Sequence, residues 1–311
     1  MADDPPQNIL VIKLGALGDI VLALGPFAAI RQHHPDAKIT FLTAPAFENF
    51  LQPSGYFDEI WTDRRPSLLQ VSDWLNLKSR LRQGSFSRVY DMQTSDRSGW
   101  YFRLFGSQRR PEWSGIARGC SHPHANPDRD FMHSIERQDE QLAMAGIPSV
   151  PSADLSWVTA DIARFDLDER YVLLVPGGAA HRLAKRWPGA RYAELACTLA
   201  GQGMQPVILG SNAEAPLAQE IMSSCSSAKD LSGQTDLADI AVLAREAAGA
   251  VGNDTGPIHM TAAAGCPTVV LFSAASDPAL TAPRGTEIEI LQRDNLADLS
   301  VESVAAALRL R

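Results

Sequence analysis

Short runs of β-branched and aliphatic residues alternate along this chain with longer stretches whose apolar positions recur every three or four residues. That alternation is the pattern of parallel α/β architecture. Residues 9–12 read as a buried strand, followed by a glycine-containing turn and a helix over 20–33. Residues 38–43 and 59–62 read as the second and third strands, 68–82 as a helix and 88–92 as a fourth strand. Between Gly106 and Asp130 the periodicity vanishes while Gly, Pro, Arg and His accumulate. A long loop is expected there, and long loops in compact domains usually carry function.

A helix over 134–145 stops at Gly146, with Pro148 and Pro151 beyond it, a strong helix-stop signal. The pattern then restarts with an apolar strand at 171–175 that runs into Pro176-Gly177-Gly178. Helices at 191–200, 217–222, 240–245 and 257–264 alternate with strands at 206–209, 249–252 and 268–272, and a last helix spans 301–310. Two α/β units are therefore expected, residues 1–160 and 161–311, joined near 147–168. Ligands of such pairs usually bind in a cleft at the carboxyl ends of the sheets.

The length of 311 residues suits two domains, and 45% hydrophobic with 21% charged residues excludes a disordered chain, a fibre or a small disulfide scaffold. Net charge is −8, from 28 basic and 36 acidic side chains, which argues against a nucleic-acid-coating surface. The four cysteines, Cys120, Cys197, Cys225 and Cys266, lie far apart with no metal-ligand spacing, so neither a zinc site nor a disulfide framework is expected. The acidic N-terminus is unlike a signal peptide, and the longest apolar stretch, 20–30, is far below the roughly 20 residues a membrane span needs. A soluble cytoplasmic protein is expected, with work at a membrane surface left open.

Three segments could carry chemistry. The first strand runs into Lys13-Leu14-Gly15-Ala16-Leu17-Gly18-Asp19, which matches neither the dinucleotide fingerprint nor the Walker loop. A dehydrogenase is thereby disfavoured. The turn does place a carboxylate, Asp19, at a helix start, where it serves as a cap or as a base. In Asp254-Thr255-Gly256-Pro257-Ile258-His259 a strand end meets a helix start whose backbone N–H groups and dipole suit an anion. Asp254 is awkward beside a phosphate; capping the helix or holding a neighbouring donor fits it better. Lys185-Arg186-Trp187-Pro188 supplies a mobile point charge and a two-oxygen fork suited to diphosphate, or simply a solvated basic loop. Glu214 is placed to accept from a ribose.

Together these segments resemble glycosyltransferase family 9, the lipopolysaccharide heptosyltransferases. The likeness runs from Lys13-x-Gly15-x-x-Gly18-Asp19 through Tyr90-Asp91-Met92-Gln93 with Arg97 to Pro176-Gly177 and Lys185-Arg186-Trp187-Pro188. It closes on Asp254-Thr255-Gly256-Pro257-Ile258-His259, Ala262-Ala263 and Gly265-x-Pro267. The resemblance implies an α/β chain of the GT-B fold, two Rossmann-like domains facing across a cleft, the last helix available to pack back on the N-terminal domain. It implies an inverting transferase that moves a heptose from ADP-heptose to a lipopolysaccharide-core or related glycan, with no cofactor and no metal. The catalytic base falls on Asp19 in an acceptor-binding domain. Donor binding falls on Lys185, Arg186, Glu214, Asp254, Thr255, Gly256 and His259. Where relatives carry hydroxyl residues before the lysine, this chain has Ala179-Ala180-His181. Two other functions stay open: a GT-B transferase using another nucleotide sugar for an outer polysaccharide, and a nucleotide-sugar-binding protein without turnover.

The acceptor is approached through charge. Between Arg97 and Arg129 lie six arginines against only Glu112 and Asp128, and no lysine. Arginine is the residue that grips carboxylate or phosphate by two oxygens. Arg97 and Arg109 are accordingly expected to hold an anionic or lipid-linked glycan. That acceptor would place the enzyme at the cytoplasmic face of the inner membrane.

Overall fold

The structure, a computed structural model, describes residues 7–67, 69–106, 110–178 and 182–311. It divides into two compact units, Met1–Ala153 and Asp154–Arg311. Residues 154–160 belong with the second unit because Arg245 Nη2 donates to the carbonyls of Leu155 and Val158, each at 2.9 Å.

In the first unit, strands β1 (Asn8–Ile12), β2 (Lys38–Thr43), β3 (Glu59–Thr62), β4 (Arg88–Asp91), β5 (Glu112–Gly115) and β6 (His122–Pro123) form one sheet in the order β3-β2-β1-β4-β5-β6. Every pairing is parallel. The helices are α1 (Leu17–Val21), α2 (Leu24–His33), α3 (Glu48–Leu51), α4 (Val71–Gln83), α5 (Asp96–Leu104) and α6 (Ser134–Met144). A parallel strand at the centre of such a sheet is covered on both faces, so Ile9, Leu10, Val11 and Ile12 are all fully buried.

Two expectations change here. The helix expected over 20–33 is two helices, because Pro26 has no N–H for the carbonyl of Leu22 four residues earlier. That carbonyl instead accepts from Gln138 Nε2 at 3.4 Å. The loop expected over 106–130 holds β5, β6 and a 3₁₀ turn at Arg129–Phe131, pinned by the fully buried Trp113. Strands of four and two residues are too short to show a period. Arg97 lies in α5, a helix rich in aromatic residues and containing Gly99, whose start is capped by Ser95 Oγ accepting from Ser98 N–H at 3.3 Å.

The second unit repeats the plan. Strands β7 (Tyr171–Val175), β8 (Gln205–Ile208), β9 (Lys229–Asp230), β10 (Gly249–Asn253), β11 (Thr268–Phe272) and β12 (Ile288–Gln292) pair in the order β12-β11-β10-β7-β8-β9, again all parallel. Its helices are α7 (Gly189–Gly201), α8 (Ala215–Ser224), α9 (Leu237–Glu246), α10 (Gly256–Ala263), α11 (Pro278–Thr281) and α12 (Val301–Ala307). The closing helix buries Val301 and Val304 in the core of its own unit, beside Leu195 and Leu199 of α7. The edge strands β9 and β12 carry no continuous apolar run and were not expected.

In both sheets the chain first builds outward on one side and then returns to build on the other. The reversal falls between β1 and β4, and between β7 and β10. Loops leave in opposite directions at such a point, so a crevice opens at the carboxyl ends of those two strands.

Candidate functional site

At the carboxyl end of β1 the side chain of Lys13 turns inward, 6% exposed, and its Nζ donates to the carbonyl of Met92 beyond β4 at 2.9 Å. The next residue, Leu14, donates its N–H to Gln93 Oε1 at 2.7 Å. Gly15 then turns the chain at φ +106°, where a Cβ would lie 2.6 Å from the Phe47 ring; only glycine fits. Asp19 is the third residue of α1. Its Oδ2 accepts the Ala16 N–H at 2.9 Å, while Oδ1 has no hydrogen bond from any described residue. One oxygen of this half-exposed carboxylate fixes the turn and the other is available.

Behind Asp19 lies a second, wholly buried carboxyl, Asp91. Its Oδ1 accepts from Thr94 N–H at 3.0 Å and Gln93 N–H at 3.2 Å, and Oδ2 has no partner. Burial pushes it up to about 6, against these hydrogen bonds and the Lys13 charge. Burial also pushes the Lys13 ammonium below its ordinary value, with the charges of Asp19 and Asp91 opposing and those of Arg137 and Arg129 reinforcing. Arg129 is anchored by Nη2 on Thr94 Oγ1 at 2.6 Å. Lys13 and Arg137 thus put cations near Asp19, with Arg129 beside them. Arg137 was not anticipated, since a single arginine on an amphipathic helix carries no sequence signal.

Of the arginines expected to face an acceptor, Arg109 lies outside the described residues. Arg97 turns toward its own unit. Its Nη2 donates to Pro66 O at 2.8 Å, its guanidinium covers the Trp74 ring at 5.3 Å, and Nη1 lies 3.9 Å from the buried Asp63.

In the second unit, β7 and β10 end side by side, Val175 opposite Gly252. A Cβ on Gly252 would lie 2.7 Å from Val175 Cβ, so the glycine lets the two strand ends close up. The next residue, Asn253, bridges them: Nδ2 donates to Pro176 O at 2.8 Å and Gly177 O at 3.1 Å. Its Oδ1 accepts from Trp187 N–H at 2.9 Å and Tyr192 OH at 3.2 Å. This fully buried amide ties the turn after β7 to the Lys185-Arg186-Trp187 segment. Its position between a strand end and Asp254 was the only sequence hint of that role.

Lys185 Nζ donates to Asp254 Oδ2 at 2.7 Å, and His259 Nε2 lies 3.7 Å from Oδ1. Asp254 makes no cap for α10, whose N-cap is Thr255; it holds a neighbouring cation. Burial opposes its ionisation, but the facing His259 and Lys185 outweigh that and hold the carboxyl at about 2. Arg186 donates to Gly178 O and faces Glu214 at 3.8 Å. Glu214 Oε2 accepts from Ser211 N–H at 2.9 Å and Ser211 Oγ at 2.6 Å. A Cβ on Gly177 would sit 2.9 Å from Glu214 Cγ, so the close approach of this carboxylate requires glycine there. Residues Ala179, Ala180 and His181 lie outside the described residues. The structure brings Lys185, Asp254, His259, Arg186 and Glu214 to one sheet edge, around the start of α10. Lysine, arginine, histidine and helix N–H groups are the chemistry that suits a polyanion.

The family model described as glycosyltransferase family 9 (heptosyltransferase) matches residues 74–306. The chain belongs to this family. It is 25% identical to lipopolysaccharide heptosyltransferase 2 of Salmonella typhimurium, over 92% of this chain and 88% of that one. It is 23% identical to the lipopolysaccharide core heptosyltransferase OpsX of Haemophilus influenzae, over 90% of this chain and 82% of that one. Among solved structures it superposes on the E. coli ADP-heptose heptosyltransferase II with a TM-score of 0.80 at 22% identity, covering 97% of both chains. A family 9 glycosyltransferase from Veillonella parvula superposes with a TM-score of 0.83 at 19% identity, covering 97% of this chain and 95% of that one. The chain is thus a glycosyltransferase of the heptosyltransferase family with the GT-B fold, as its motifs led one to expect. Among the described residues no three His, Cys, Asp or Glu side chains gather as a metal ion would need, and no helix is long and apolar enough to cross a membrane.

Proposed function

We propose that this enzyme transfers a heptose from ADP-heptose to a lipopolysaccharide-core or related glycan with inversion at the anomeric carbon. The observation that carries this reading is the set of cations and helix N–H groups at the β7/β10 carboxyl edge, in a chain whose relatives are named as heptosyltransferases. The second unit binds the donor: Lys185, His259 and the Thr255–Gly256 helix start take the diphosphate, Arg186 adds a fork, and Asp254 holds Lys185 in place. Glu214, oriented by Ser211, accepts from the ribose.

The first unit binds the acceptor and supplies the base. Asp19 Oδ1 takes the proton of the acceptor hydroxyl as that oxygen attacks the anomeric carbon from the face opposite the diphosphate. The bond from the anomeric carbon to the diphosphate oxygen breaks, and its electrons leave with ADP. The charge that develops on the departing diphosphate is met by Lys185 and the α10 backbone. No redox partner or metal enters this balance.

The test is a donor panel of ADP-heptose, ADP-glucose and UDP- and GDP-sugars, with affinity and nucleotide release measured for each. Preference for ADP-heptose with acceptor-dependent ADP release supports the proposal. Tight binding without release would leave a nucleotide-sugar-binding protein, and preference for another donor would move the enzyme to a different polysaccharide.

A further inference from the structure

The first unit carries an apolar and cationic surface that no site residue uses. Leu69 is 91% exposed, Val71 61%, Leu75 58% and Trp100 57%, four of the ten large apolar side chains left exposed among the described residues. On α4 the buried positions are Leu77 and Leu81, while Val71, Leu75, Lys78 and Arg82 follow one another at helical spacing along the flank beside them. Arg82 Nε donates to Leu104 O at the end of α5, which shows that this flank lies toward α5. Trp100 stands outward on α5 with Arg103 stacked 4.7 Å from its ring. The two helices run side by side, with Trp74 against Tyr101 and Arg97 over Trp74. The exposed apolar residues thus lie on two adjacent helices and in the turn that leads into α4.

Its charge is the reverse of the chain's. Beside the apolar side chains stand Arg64, Lys78, Arg82 and Arg103 against Asp73 and Asp96, in a chain of net charge −8. Exposed leucines and a tryptophan framed by arginine and lysine are the composition of an interfacial helix. The apolar groups enter the headgroup boundary while the cations meet anionic lipid. A soluble partner's groove would not require the cations. The surface is also tied to the catalytic turn: Arg65 Nη2, in the loop that leads to Leu69, donates to the carbonyl of Leu14, next to Gly15.

We infer that Leu69, Val71, Leu75 and Trp100, with the basic residues around them, dock the enzyme on an anionic phospholipid bilayer. Docking there brings the Asp19 edge to the membrane surface. The inference rests on the proposed function only for its purpose, delivery of a lipid-linked acceptor; the binding is testable without it.

The full-length protein is sedimented with vesicles of phosphatidylcholine alone and with added phosphatidylglycerol. It is expected to bind the anionic vesicles at least about tenfold more tightly, and to release at high salt. The Leu69→Ser/Leu75→Ser double variant and Trp100→Ser are each expected to weaken that binding by about tenfold. Both should leave ADP affinity and transfer to a water-soluble acceptor fragment unchanged. Loss of transfer to the soluble acceptor in the wild type would count against the proposed function, not against docking. Equal binding to neutral and anionic vesicles, or variants that bind like the wild type, would overturn the inference. So would concentration-dependent self-association abolished by the same variants, which would make this face a contact between copies of the chain.

Discussion

Lys185 and Asp254 stand 69 positions apart in sequence and meet at 2.7 Å, Nζ to Oδ2, with 12% and 9% of their side chains exposed. A carboxylate that faced a bound diphosphate would repel it. Here its charge is spent on the lysine, which keeps the ammonium ordered and leaves it protons to donate onward. Because the Asp254 carboxyl sits at about 2, it stays ionised throughout the range in which an enzyme works.

The pair acts as a unit if this account holds. Lys185→Ala is expected to weaken ADP-sugar binding by about 1.5–3 kcal/mol, the scale of a hydrogen bond to a charged group. Thr255→Ala should cost less, since its hydroxyl is neutral and the backbone donors remain. In a double-mutant cycle with Asp254→Asn, calorimetry should show a coupling of about 1–3 kcal/mol in ADP binding. Additive losses would mean that Asp254 does not work through Lys185.

Asp19→Asn keeps an oxygen to accept the Ala16 N–H, so the turn should fold as in the wild type. Donor affinity should stay within experimental error, while transfer falls by about 10²–10⁴-fold, the contribution of a general base. Single-turnover transfer and ADP titration on the same preparation separate the two. Near-wild-type turnover would remove Asp19 from the chemistry.

Asp91 makes stability depend on pH in a direction opposite to the usual carboxylate. Its folded value of about 6 lies above its ordinary 3.8, so the folded state binds the proton more tightly. That contribution is fully present below about pH 4 and is lost as pH rises through about 6. Asp91→Asn is neutral throughout and retains the oxygen that Thr94 and Gln93 use. Its stability relative to the wild type should therefore rise by about 3 kcal/mol between pH 4 and pH 8. Urea unfolding at the two pH values measures this; a constant difference would place the proton elsewhere.

Arg97 separates two roles. Its guanidinium is engaged by the Pro66 carbonyl, Trp74 and Asp63, so Arg97→Gln should destabilise the protein by about 1–3 kcal/mol through the loss of a charge-assisted hydrogen bond and a stacked cation. Thermal melts decide. If the variant melts like the wild type and instead raises the acceptor KM with a flatter salt dependence, the guanidinium serves the acceptor.

The alternation of apolar runs was enough to read the parallel α/β class and most central strands, because strands buried on both faces must be continuously apolar: β7 and β11 are visible as Tyr171–Val175 and Thr268–Phe272. Local spacing likewise marked Asp19 and the Asp254–His259 segment, since a turn after a strand and a helix start are local geometry. What stayed hidden depends on partners distant in sequence. Trp113 makes a strand of residues that lack any period, and Pro26 splits a helix whose freed carbonyl is met by Gln138, 116 residues away in sequence. Whether Arg97 faces an acceptor or Pro66, and whether Asp254 repels a phosphate or holds Lys185, are questions of which charges are brought within a few ångströms. Spacing along the chain carries no information on that. The packing of β7 against β10, and of α4 against α5, supplies it.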